Sequence, residues 1–208
     1  MNEAIWGLVG VIVGGGMTIA KDAVSAWRRD RKSGSFSAVR LVGILDEYAD
    51  HCIGVVGDDG TSFGRPAGRK DDGEEYYIPQ VQLPNPPTYP DDIVWRSLPK
   101  NLMFGVLALP NSARLTNRHI EGVAEYVASY PDYQEFFEAR QEGYARLGIE
   151  ALTLAESLAA AFKFAAASKV VPDESWEPKA YLLEKVAAFE LRRKEKSARD
   201  NESDGALI

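Results

Sequence analysis

Cysteine and histidine are nearly missing from this chain. Of its 208 residues one is cysteine, Cys52, and two are histidine, His51 and His119. A lone cysteine excludes an intramolecular disulfide and any zinc site built from two or more thiolates. Two histidines leave little for a histidine-based catalytic centre, so the expectation is no cofactor, no metal and no enzymatic activity. Positive charge is also short. Lys and Arg number 24 against 31 Asp and Glu, a formal net charge of -7, which argues against a nucleic-acid partner. Bulk hydrophobicity is ordinary at 45%, and a chain of this length buries a core without staples.

A third absence is local. The run Ala4 to Ala20 (AIWGLVGVIVGGGMTIA) contains no charged side chain. As a helix it rises about 26 Å, a little short of the roughly 30 Å hydrocarbon layer. Trp6 and Trp27 bracket it, about 32 Å apart along a helix axis. That spacing places one indole near each interface, with Lys21 able to snorkel outward; Asp22 fits this picture badly. Only Met1, Asn2 and Glu3 precede the run, so the basic leader of a secretory signal is missing. After it come Lys21, Arg28, Arg29, Arg31, Lys32 and Arg40 against Asp22 and Asp30. By the positive-inside rule, residues 1–3 lie outside, 4–20 form a transmembrane helix and the rest is cytoplasmic. Membrane lipid is then an expected partner, with Trp6, Trp27, Arg28 and Arg29 at the interface. The competing reading of so short a run is a buried helix of a soluble domain.

The glycines within the run are patterned. At 100° per residue Gly7, Gly10, Gly14 and Thr18 fall on one face, and Gly10 with Gly14 makes a GxxxG pair. Such a face lets two membrane helices approach closely, so these four residues are the candidates for lateral self-association. Gly15 and Gly16 lie off the stripe.

The remainder predicts an all-α body: a juxtamembrane amphipathic helix over 21–57, a Gly/Pro-rich loop over 58–90, a helical bundle over 91–196 and a disordered polar tail over 197–208. In the first helix Ala38, Leu41, Val42, Leu45, Tyr48, Ala49, Cys52, Ile53 and Val56 share one arc. The loop has no period. It is either a linker or a segment lying across the helices, with EEYYIPQV (Glu74 to Val81) as an edge strand at best. Asp91 or Asp92 is a candidate cap for a short helix through Leu98. Pro99 is placed to open another helix, Pro110 to interrupt it, and Ser112–Tyr130 to form the next. The longest helix is expected over Asp132–Ser168, with Tyr133, Phe136, Phe137, Tyr144, Leu147, Ala151, Leu154, Ala155, Leu158, Phe162 and Ala165 on one stripe. Glu135, Glu138, Glu142, Arg146 and Glu156 lie opposite it as a solvated face. A last helix from Pro178 to Lys196 carries Leu182, Val186 and Phe189 on one side.

Chemistry is hard to find in this pattern. His51 and Cys52 diverge by 100° on a helix, which makes Cys52 a buried hydrophobe and leaves His51 to pair with Glu47 on the surface. His119 has no metal-ligating residue one turn away. GRPAGRK (Gly64 to Lys70) fails the spacing and context of a phosphate loop. Arg140 stands out as the one charge inside the long apolar stripe, and it is expected either to pair with a carboxylate on another helix or to contact a partner. The reading that follows is a membrane-anchored helical interaction or scaffold protein, binding an unidentified protein. The alternative is a self-associating membrane effector, phage- or toxin-like, assembled through its glycine stripe.

Overall fold

A computed structural model describes residues 31–62, 64–71, 73–129, 133–164 and 176–205. These residues are mostly helical. Helix α1 covers 31–56 of the described chain. A two-residue antiparallel pair, β1 (Gly68–Arg69) and β2 (Glu75–Tyr76), follows, then a 3-10 turn (Trp95–Ser97), α2 (Lys100–Tyr126), α3 (Gln134–Phe162) and α4 (Pro178–Gly205). No helix among the described residues is long and apolar enough to cross a membrane. The run Ala4–Ala20, with Trp6, Gly7, Gly10, Gly14 and Thr18, lies outside the described residues, as do Trp27, Arg28 and Arg29.

Helix α3 is the axis of the bundle, and the other three helices pack around it. Its close approaches occur at glycines. A Cβ on Gly148 would stand 2.7 Å from Leu182 Cδ1 of α4 and 3.2 Å from Cys52 Cβ of α1. Gly143 lies against Thr116 and Gly105 against Leu154, both between α2 and α3. Gly34, near the described start of α1, lies against Phe162 at the end of α3. Contacts of Gly34 with Phe162 and of Cys52 with Gly148 make α1 antiparallel to α3. The same reading of Gly105–Leu154 with Thr116–Gly143, and of Leu182–Gly148 with Arg192–Glu138, makes α2 and α4 antiparallel to it as well. Burial follows this arrangement. Tyr144, Leu147, Ala151, Ala155 and Leu158 fill the predicted stripe, while Ala145, Gly148, Leu152 and Ala159 give α3 a second buried side. The predicted arc of α1 is buried from Ala38 through Cys52, with Val55 added to it.

Two parallel helices, α1 and α2, cannot be joined by a tight turn, because the chain must travel back along the bundle. Residues 57–99 make that return. The segment is the laid-across alternative, fastened at intervals as it goes. Tyr144 Oη donates to Asn117 Oδ1 at 2.7 Å and lies 3.4 Å from Pro84 O. Tyr89 Oη donates to Val106 O at 2.7 Å, Asp92 pairs with Arg40, and Val94 N donates to Ser37 Oγ at 3.0 Å. Partners on α1 step back from Arg40 to Ser37 to Gly34 as the crossover advances from Asp92 to Val94 to Ser97.

Several expectations are corrected. Asp91 and Asp92 cap nothing: the 3-10 turn has Val94 at its N-cap without a side-chain cap, and Asp92 is held by Arg40. Pro110 does not interrupt its helix, and α2 runs through it from Lys100 to Tyr126. Proline lacks an N–H, so the carbonyl four residues earlier, Val106 O, loses its helical donor. The Tyr89 hydroxyl supplies the replacement. Helix α3 ends at Phe162, where Lys163 takes a left-handed conformation (φ 57°). Helix α4 continues past Ser197 to Gly205, although SARDNESDG (Ser197 to Gly205) holds mostly Ser, Asp, Asn and Gly, which are weak helix formers. The acidic row on α3 is not simply a solvated face. Glu138 accepts from Arg192 at 3.1 Å, Glu142 engages Arg146 and Arg193, and Glu190 accepts from Arg146 at 3.0 Å. The row lines the α3–α4 seam.

Candidate functional site

The most elaborate polar construction in the described chain surrounds Arg140. Helix α1 ends at residue 56 and the backbone turns at Gly57, where its N–H donates to Ile53 O. Asp58 then turns inward and receives four donors. Its Oδ1 accepts from Gly60 N at 3.0 Å, and its Oδ2 accepts from Gln80 N and Val81 N, each at 3.0 Å, and from Arg140 Nη2 at 2.9 Å. Arg140 Nη2 also donates to Val81 O at 2.7 Å, and Gln141 Nε2 donates to Asp58 O at 2.9 Å. One carboxylate therefore closes the loop 58–81 and ties it to α3. Gly60 meets this geometry with φ +79°, and any side chain there would run into the Phe137 ring.

Arg140 and Asp58 are 4% and 1% exposed at their side chains. Burial lowers the Arg140 pKa, and the Asp58 charge works against that shift. Its guanidinium lies 5.5 Å from the Phe136 ring centroid, and its Nε has no hydrogen-bond partner. Of the two roles expected for Arg140, internal pairing describes this geometry. The site it builds is architectural: Arg140 Nη2 is taken up by Asp58 and Val81 O, and the Asp58 carboxylate is filled by backbone N–H groups and Arg140.

Between α1 and the crossover lies a groove of about 720 Å³, with Glu47, Tyr48, Asp50 and His51 on one wall and the segment from Val81 to Thr88 on the other. Pro84, Pro86 and Pro87 stiffen that second wall. His51 and Glu47 share the groove but form no ion pair among the described residues, against expectation. Cys52, one residue on, is fully buried, and burial pushes its thiol up to about 12. A second groove of about 710 Å³ runs between α2 and α3, lined by His119, Leu115, Thr116, Glu142, Arg146 and Glu150 among others. Burial raises the Glu150 carboxyl. No group of three or more His, Cys, Asp or Glu able to hold a metal ion occurs among the described residues.

The sequence singled out Arg140 and missed Asp58, Gln141 and the backbone of residues 80–81. Asp58 had a readable signal as part of GDDG, a turn that ends a helix. Its partner 82 positions away had none. No family model, curated protein or solved structure matches the chain.

Proposed function

We propose that this chain is a single-pass, membrane-anchored interaction module, with its helical body at the cytoplasmic face and a protein as its partner. The observation that carries the reading is the uncharged run Ala4–Ala20 followed by Lys21, Arg28, Arg29, Arg31 and Lys32. The body supports it as a bundle whose grooves are edged by polar side chains, a form suited to holding a partner. A second reading rests on the glycine stripe Gly7, Gly10, Gly14 and Thr18: a self-associating membrane effector assembled through its span.

In-cell cross-linking followed by capture from detergent-solubilised membranes tests both, comparing the full chain with one lacking residues 1–20. A heterologous adduct formed only by the full chain is the expected result. A ladder of self-multiples that disappears in Gly10→Ile/Gly14→Ile replaces the module by the effector. Equal recovery of both chains from the soluble fraction overturns the anchor.

A further inference from the structure

The bundle end formed by residues 31–34, 95–100 and 161–163 gathers cations that are far apart in sequence. Arg31, Arg96, Pro99 and Phe162 line one depression of about 350 Å³ there. Gly34 makes the gathering possible, since a Cβ at that position would stand 2.8 Å from Ser97 O and 2.7 Å from the Phe162 ring. Lys32, Lys100 and Lys163 flank the same depression in sequence, and all five cations are exposed. The chain as a whole is acidic, so this end is a local reversal of charge. Of the acids in the neighbouring segments, Asp92 is held by Arg40, farther along α1; Asp91 and Glu177 are exposed.

Aromatic side chains accompany the cations in a repeated arrangement. Lys32 and Phe36 on α1, and Lys100 and Phe104 on α2, are each four residues apart and so share a helix face. Phe36 is 61% exposed and Phe104 69%. On both helices the cation is toward the end and the aromatic ring one turn behind it. Cations with adjoining apolar rings suit the headgroup region of a bilayer.

We infer that this end of the bundle is a docking surface for anionic lipid headgroups, which seats the body against the membrane in one orientation. The inference rests on the anchored reading above, and chain length supplies the link. Trp27 and Arg31 are four positions apart in sequence, at most about 14 Å when fully extended, so a span ending near Trp27 brings this end to the headgroups. Anionic lipid then meets Arg31, Lys32, Arg96, Lys100 and Lys163 together. The fold has assembled a basic surface of which sequence proximity to the span shows only the first two members.

The test uses the full chain reconstituted in vesicles, with a nitroxide on Asn101→Cys beside Lys100 and, separately, on Ser129→Cys beyond the far end of α2, about 40 Å away. Native Cys52 is fully buried and stays unlabelled. A nickel-chelating lipid relaxes labels that reach the headgroups, and alkaline carbonate extraction reads the anchor independently. In phosphatidylcholine–phosphatidylglycerol vesicles the label at 101 is relaxed and that at 129 is not. In phosphatidylcholine alone the relaxation at 101 is lost. In the mixed vesicles Arg96→Glu, Lys100→Glu and Lys163→Glu each weaken contact by at least about fivefold. Equal relaxation in both lipids, equal relaxation at both positions, or indifference to all three reversals in carbonate-resistant protein overturns the docking surface and leaves the anchor standing. Release of the unmodified chain by carbonate overturns both.

Discussion

The crossover and the helices it joins are held in place by different means. Helices α1, α2 and α3 owe their positions to many apolar side chains, with Leu41, Leu45, Val106, Leu109, Tyr144 and Leu158 all fully buried. No one of them specifies the arrangement, and loss of any one removes a fraction of a distributed total. The segment from 58 to 94 has few such residues. Its course is fixed by single polar contacts, the densest being Asp58 with its four donors. Distributed packing fails gradually, and a singly held segment fails at one residue.

The largest expected effect bears directly on that contrast. Arg140→Met leaves the Asp58 carboxylate buried without its counter-charge, which costs about 3–5 kcal/mol. Chemical denaturation measures the loss, and limited proteolysis locates it: cleavage within 58–81 should rise well before the helices yield. Simultaneous loss of helix and loop would erase the distinction between the two regions. Gly148→Ala is the counterpart inside the bundle. Its Cβ meets Leu182 Cδ1 at 2.7 Å and Cys52 Cβ at 3.2 Å, and overpacking of this kind costs about 1–3 kcal/mol. It should lower the global transition without selective cleavage of the loop.

Tyr89→Phe comes next. It strips the donor from Val106 O, which Pro110 has already deprived of its helical one, for about 1–2 kcal/mol. Because the cause is the missing N–H, Tyr89→Phe should cost much less in a Pro110→Ala background. A double-mutant cycle by thermal denaturation reads this coupling, and additivity would refute the exchange of donors. The smallest effect is electrostatic. Burial pushes the Glu142 carboxyl up, but hydrogen bonds from Arg146 and Arg193 outweigh it and hold the group below its ordinary 4.5. A depressed carboxyl stabilises above the unfolded pKa and loses that contribution as pH falls through the folded one. Glu142→Gln should therefore cost up to about 1 kcal/mol at pH 7, and the difference should shrink as pH falls below about 4.5.

What was legible in the sequence divides along the same line. The arc of α1, the stripe of α3 and the Leu182–Phe189 side of α4 repeat every 3.6 residues, and burial obeys that period. The crossover has no period, and its direction depends on α1 and α2 being parallel, a tertiary fact. Pro110 followed a sound local rule that Tyr89, twenty-one positions earlier, overrides. Asp92 had the right chemistry for a cap, and the fold spent it on Arg40. Gly148 carried a usable sign, since an unforced glycine inside a long helix points to close backbone approach. Arg140 was conspicuous as a charge among apolar neighbours, although only the folded chain supplies Asp58. The glycine and tryptophan positions proposed for the membrane lie outside the described residues.

Cys52 gives the molecule a reporter that nobody has to engineer. It is the chain's sole thiol, fully buried where α1 meets Gly148 of α3, and the pKa pushed up to about 12 leaves almost no thiolate at neutral pH. A thiol reagent therefore marks a molecule only while α1 stands away from α3. The labelling rate in mild denaturant becomes a clock for that separation, readable by mass one molecule at a time.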